Sequence, residues 1–137
     1  MNDSPYWAHI SSSGQIQLLL DHLNGTACLA KSFATSFGAE EQAELAAMAH
    51  DIGKYSSAFQ KRLRGESIQV DHSTAGAVEC WKLRQPFAAF AVAGHHSGLP
   101  DGGSRTDTPD CATLDGRLKR EERGLLEPYE SWKQELS

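Results

Sequence analysis

A chain of 137 residues, with 39% hydrophobic side chains and a formal net charge of −5, supplies one globular domain, and its acidity argues against gripping nucleic acid through bulk positive charge. No apolar run reaches the roughly 18 residues that a membrane-spanning helix requires, and residues 1–10 lack the basic start and apolar stretch of a secretory signal. Three widely spaced cysteines, Cys28, Cys80 and Cys111, form no CxxC pair; this argues against a disulfide framework or a thiolate zinc site and suits a reducing cytoplasm.

In chain order, Ile16, Leu19, Leu20 and Leu23 follow the i, i+3, i+4, i+7 spacing of a buried helix face. Gly25 predicts a break, and a second apolar helix then runs through Leu29, Phe33 and Phe37 to Gly38, with Cys28 in its core face. Glu40, Glu41 and Glu44 crowd the start of a third helix, where negative charge complements the helix dipole, and that helix extends to about Gly53. A short helix follows over residues 56–63, closed by a turn at Gly65. Two more cover residues 73–84, with Cys80 in the core, and residues 87–96; Pro86 separates them by pushing Gln85 out of helical geometry. Residues 97–110 turn to Gly, Pro, Asp, Ser and Thr and read as a long, mobile surface loop. Weaker helical pattern returns over residues 113–123 and 129–136. Alternating strands are absent from this reading, so the expected fold class is all-α. The basic runs Lys61-Arg62-Leu63-Arg64 and Arg117-Leu118-Lys119-Arg120 read as solvated helix faces.

Five of the six histidines form a pattern. On the third helix Leu45, Met48, Ala49 and Ile52 make a core stripe, while Ala43, Ala47, His50, Asp51 and Lys54 fall on roughly the opposite side. Alanines leading up to a His-Asp pair mark that second face as covered too, because an exposed face would carry long charged residues. His50 and Asp51 together offer a neutral imidazole and a carboxylate, whose two oxygens can bridge two cations. His72 stands just before a helix, and His95-His96 ends the most apolar helix of the chain. Imidazoles beside a buried apolar helix are costly without partners, and a metal ion satisfies several neutral imidazoles and a carboxylate at once. His22 lies beside the stripe of the first helix. His9, in an irregular stretch, is assigned no role.

These residues carry a resemblance. The strings His50-Asp51-Ile52-Gly53-Lys54, His72-Ser73-Thr74-Ala75-Gly76-Ala77 and Gly94-His95-His96-Ser97-Gly98-Leu99-Pro100, preceded by His22, resemble the HD phosphohydrolase superfamily. Within it they are most similar to the HD nuclease of type I CRISPR nuclease–helicases. The likeness runs over residues 21–100 and weakens beyond. It implies an HD-domain helical bundle occupying residues 1–137 as one domain, and a two-metal site. His22, His50 and Asp51 would hold one divalent ion, and Asp51, His72, His95 and His96 the other, with Asp51 as the bridge. The catalytic residues it implies are Asp51 and Lys54, the latter stabilising phosphate charge. Two cations about 3.5–4 Å apart would activate water for hydrolysis of a DNA phosphodiester, in single-stranded DNA. Histidine-rich ligation suits Mn, Fe, Co, Ni or Zn better than Mg alone.

One departure stands out. The family draws a further carboxylate for the first metal from a helix well downstream, and residues 97–137 hold no apolar helix with an evident ligand aspartate; Asp107, Asp110 and Asp115 fall in or beside the loop and none is assigned the role. The resemblance therefore implies either a bundle without its C-terminal helices or an unusually small one, a weak or empty His22 site and residual exposed apolar surface. No Gly-x-x-x-x-Gly-Lys-[Ser/Thr] phosphate loop occurs, so a separate or fused helicase and a guide-RNA effector complex are the expected partners, delivering the strand. Two alternatives remain open: an HD phosphohydrolase acting on nucleotides or cyclic dinucleotides, and a catalytically silent metal-binding interaction module.

Overall fold

A computed structural model describes residues 4–136. Six α-helices form its body: α1 (Leu19–Ala34), α2 (Glu40–Ala49), α3 (Ser57–Leu63), α4 (Ser73–Lys82), α5 (Pro86–Gly94) and α6 (Leu114–Glu122). A two-stranded antiparallel hairpin, β1 (Trp7–Ile10) and β2 (Ile16–Leu18), precedes them, and 3-10 turns occupy Thr35–Phe37, Ile52–Tyr55 and Glu130–Gln134. The fold is all-α apart from this small ribbon.

The hairpin corrects the reading of the N-terminus. Ile16 pairs with Ile10 across the ribbon instead of opening a helix, and α1 begins at Leu19, where the Leu19 N–H donates to Tyr6 O. A three-residue strand is too short to display a period of two, so the helical spacing of Ile16 to Leu23 was a coincidence of apolar residues on either side of a boundary. The predicted break at Gly25 is also absent. A Cβ there would meet nothing within 4 Å, and about 1 kcal/mol of glycine penalty does not divide a helix anchored by buried Leu19, Leu23, Ala27 and Ala34. That buried stripe leaves apolar residues of the outer face of α1 and of the 3-10 turn after it in solvent. Leu29, Phe33 and Phe37 are exposed, and Cys28 is exposed rather than in the core. Cys80, by contrast, is fully buried.

α1 packs along α2, α2 against α5, and α4 against α5. The core they enclose is made of small side chains: Ala49, Ala75, Ala77, Ala88, Ala89 and Ala93, with Ile52, Cys80, Val92, Leu114 and Tyr129. Short side chains at the contacts bring helix axes close together. Two glycines carry this furthest. A Cβ on Gly76 would lie 2.0 Å from the Ala49 carbonyl oxygen, and one on Gly53 would lie 2.2 Å from that of His72. The start of α4 therefore rests directly on the end of α2. The last turn is tied down by Tyr55 Oη donating to Glu135 (2.9 Å) and Tyr129 Oη donating to Glu79 (2.8 Å). Among the described residues no helix is long and apolar enough to cross a membrane.

Candidate metal centre

α2 ends at Ala49. His50 occupies its C-cap and Asp51, at φ −115°, leaves helical geometry and opens the 3-10 turn Ile52–Tyr55. His50, Asp51 and Lys54 thus do not share one continuous helix as predicted; the chain tightens so that Gly53 can pass beneath His72. His22 comes from the first turn of α1, His72 from the N-cap of α4, and His95 and His96 from the turn after α5.

The Asp51 side chain, 4% exposed, lies at the centre of these groups. Its Oδ2 is 2.9 Å from His22 Nε2 and 3.1 Å from His50 Nε2. Its Oδ1 is 3.4 Å from His95 Nε2 and 3.6 Å from His72 Nε2, and His72 Nε2 is 2.8 Å from His96 Nε2. One oxygen of the carboxylate therefore faces each of two donor sets, His22–His50–Asp51 and Asp51–His72–His95–His96, and the ligand atoms within each set lie within 4.8 Å of one another.

Backbone contacts aim the rings. His50 Nδ1 lies against Ala47 O and His95 Nδ1 is 2.6 Å from Val92 O. Each Nδ1 donates its proton there, which leaves each Nε2 lone pair turned toward Asp51. Asp51 Oδ1 and His95 Nε2 are buried with no hydrogen-bond partner. Two acceptors facing each other without a donor are unfavourable, and a cation between them satisfies both. The donor set fits a divalent metal on that ground.

The electrostatics agree. Burial disfavours the Asp51 charge, but the surrounding imidazoles, His22 and His50 foremost, outweigh it and hold the carboxyl far below the usual carboxylate range. Burial pushes His72 down to about 4, so this ring is neutral and ready to ligate at pH 7. Burial also works against a charge on His50, yet its contacts with Asp51 and Ala47 win and raise it.

The other predicted site residues fall in different places. Lys54 is 5% exposed; its ammonium lies 3.2 Å from Asp51 Oδ2 and donates to Ala8 O at 3.3 Å. It joins the centre to the hairpin. Asp107 and Asp110 are engaged within the loop, Asp107 accepting from Thr113 Oγ1 (2.6 Å) and Ser104 N (3.0 Å) and Asp110 from Thr108 Oγ1. Neither of them, nor Asp115 in the first turn of α6, belongs to a donor set among the described residues. The loop itself is stapled: Leu114 N and Asp115 N donate to Asp101 O and Gly102 O (both 2.9 Å), and Lys119 Nζ donates to Arg105 O (2.6 Å).

Two residues escaped the sequence reading. His9, set aside, is exposed at the rim, its ring edge-on to that of His22 with centroids 5.3 Å apart. Only the hairpin brings it there, and no periodicity signals that. Arg117, read as part of a solvated face, is buried at 7% exposure beneath the turn that bears His95. Its run of basic neighbours concealed it.

Among known proteins, no curated sequence matches this chain. The profile of the HD domain matches residues 19–127 and so spans every residue of both donor sets. With a helical fold and a His/Asp cluster fit for divalent metal, the chain belongs to the HD-domain family, an all-α family of metal-dependent phosphohydrolases.

Proposed function

We propose that this chain is a two-metal phosphodiesterase that cuts single-stranded DNA as the HD nuclease of type I CRISPR interference. The observation that carries the two-metal reading is the division of Asp51 between two donor sets, with Oδ1 and His95 Nε2 left without a proton between them. Bound divalent cations would polarise a scissile phosphate and make water a nucleophile near neutral pH. His22 and His50 would hold one ion and His72, His95 and His96 the other, while Asp51 spans both. Lys54, pinned beside Asp51, balances its charge and fixes the hairpin whose His9 borders the centre.

A polymer substrate is favoured by the shape of the site. His22, His50, His72 and His95 keep 14–20% of their side-chain surface open, and His96 is exposed, so the cluster forms a shallow surface that a strand can cross. An apolar cavity of about 550 Å³, lined by Leu45, Met48, Cys80, Trp132 and Leu136 among others, includes none of the histidines. With a net charge of −5 the chain is a poor captor of DNA, which fits delivery of the strand by a helicase and a guide-RNA complex in the cytoplasm.

The test is metal-stripped protein resupplied with manganese, nickel or magnesium and offered circular single-stranded DNA, nucleotides and cyclic dinucleotides in parallel. Metal-dependent nicking of the circle, abolished in Asp51→Ala, is the expected result. Turnover confined to the small substrates would move the assignment to a nucleotide phosphohydrolase, and metal binding without any turnover would leave an interaction module.

A further inference from the structure

Arg117 is a buried guanidinium outside both donor sets, and its contacts converge on them. Nε donates to Thr74 Oγ1 (2.9 Å), Nη2 to Ser73 Oγ (2.7 Å) and Nη1 to Ala93 O (2.5 Å). Ser73 and Thr74 immediately follow His72 at the start of α4, and Ala93 lies two residues before His95 at the end of α5. One planar side chain from α6 therefore ties together the two segments that carry His72, His95 and His96. The next turn of α6 adds a second arm. Arg120 Nη1 lies 2.7 Å from Asp71 Oδ2, and Asp71 in turn accepts from Thr74 N (3.2 Å) and Thr74 Oγ1 (2.6 Å), bracketing His72 from its other side.

We infer that Arg117 and Arg120 form a clasp that positions His72 against the His95–His96 turn, so that α6 sets the metal affinity of the Asp51–His72–His95–His96 set and not of the His22–His50–Asp51 set. The inference rests on the metal-centre reading above. The geometry is selective because no atom of the clasp bonds to α1 or to His50, and every one of its bonds falls on the segments of residues 71–74 and 93 or on the loop beneath Arg120. A guanidinium suits the task, since its rigid fork reaches three acceptors in one plane, which a lysine's single ammonium cannot do. Partners that orient metal ligands typically account for about 10–100-fold in metal affinity. Arg117 and Arg120 are thus positioning residues: they act through His72, His95 and His96 and touch no reacting atom.

Cobalt(II) titration of the metal-stripped full chain, followed by its visible absorption, reads the two sets, and His22→Ala identifies the signal of the set that lacks that ligand. Arg117→Ala should weaken cobalt at the His72–His95–His96 set by about 10–100-fold, leave the His22 set unchanged, and recover its affinity when guanidinium is added at sub-denaturing concentration. A merely structural role would lower the melting temperature without this selectivity or rescue. Should Arg117→Ala fail to fold, Arg120→Gln opens only the partly exposed arm, and a several-fold loss confined to the same set is expected. Equal affinities of a folded variant and the wild type at both sets would overturn the clasp alone. A wild-type chain that binds no cobalt would overturn the metal-centre reading and the clasp with it.

Discussion

Asp51 gathers its neighbours because a buried carboxylate must be compensated from every side. Metal-free, it relies on imidazoles and on Lys54, and those imidazoles titrate in opposite senses. His72, lowered to about 4, is neutral in the folded chain while the unfolded chain takes up a proton below about 6.5. Between these values the unfolded state binds the extra proton, so His72 erodes stability as pH falls through that window. His50 is raised, and its contribution is present below about 6.5 and lost as pH rises through its folded value. Asp51 stays ionised across the window, because its folded value lies far lower. We therefore expect urea melts of the metal-free protein to show stability declining from about pH 6.5 toward about 4, and His72→Gln to flatten that decline. An unchanged slope would place the titration elsewhere. His95 and His96 drew notice in the sequence because imidazoles beside an apolar helix are costly without partners, whereas His22 and the two donor sets were implied only by the resemblance to the HD family. His9 and Arg117 could not be singled out, since their positions depend on a hairpin and a loop whose paths no local pattern specifies.

Among the elements, the junction of α2 with α4 decides whether the two halves of the centre meet. Both contacts there are glycine against backbone, and neither carbonyl can move aside as a flexible side chain would. Gly53→Ala and Gly76→Ala should each cost about 1–3 kcal/mol, as overpacking does, and should also weaken metal binding by moving His72 away from Asp51. Gly25→Ala is the contrast: open space surrounds that position in α1, and the substitution should stabilise by about 0.5–1 kcal/mol with metal affinity unchanged. Denaturant midpoints paired with cobalt affinities check all three, and a silent Gly76→Ala would deny the close approach. The same glycines explain which elements the sequence revealed. α4, α5 and α6 begin within a residue of where the sequence placed them; Pro86 marked the start of α5, while the capping contacts of Asp71 and Thr113 were seen only in the structure. Gly25 mimicked a breaker because sequence alone does not distinguish an idle glycine from one that a contact requires. The hairpin was missed because three paired residues carry too little pattern to outweigh the helix that follows.

Across the whole molecule, the core is small and rich in alanine, the cysteines are free, and Leu29, Phe33, Phe37 and Phe87 remain in water. Such a chain has little stability to spare, and at its centre it holds two buried acceptors without a proton between them. A ligand that binds only the folded state adds RT ln(1 + [L]/Kd), about 2.7 kcal/mol at a free concentration 100 times Kd. For a domain of this size each kcal/mol moves the melting temperature by roughly 4 °C, so manganese at that excess should raise it by about 10 °C for each set it fills and about 20 °C for both. The shift should reverse with chelator. It should vanish in Asp51→Ala, which removes a ligand from both sets, and shrink without vanishing in His22→Ala or His96→Ala, which each disable one. A full shift in either single-set variant would mean that one ion supplies all the stabilisation, and the bridge through Asp51 would then have no energetic role. Equal partial shifts would instead mark two sets of comparable strength, despite the carboxylate that the first set lacks from α6 and the loop before it.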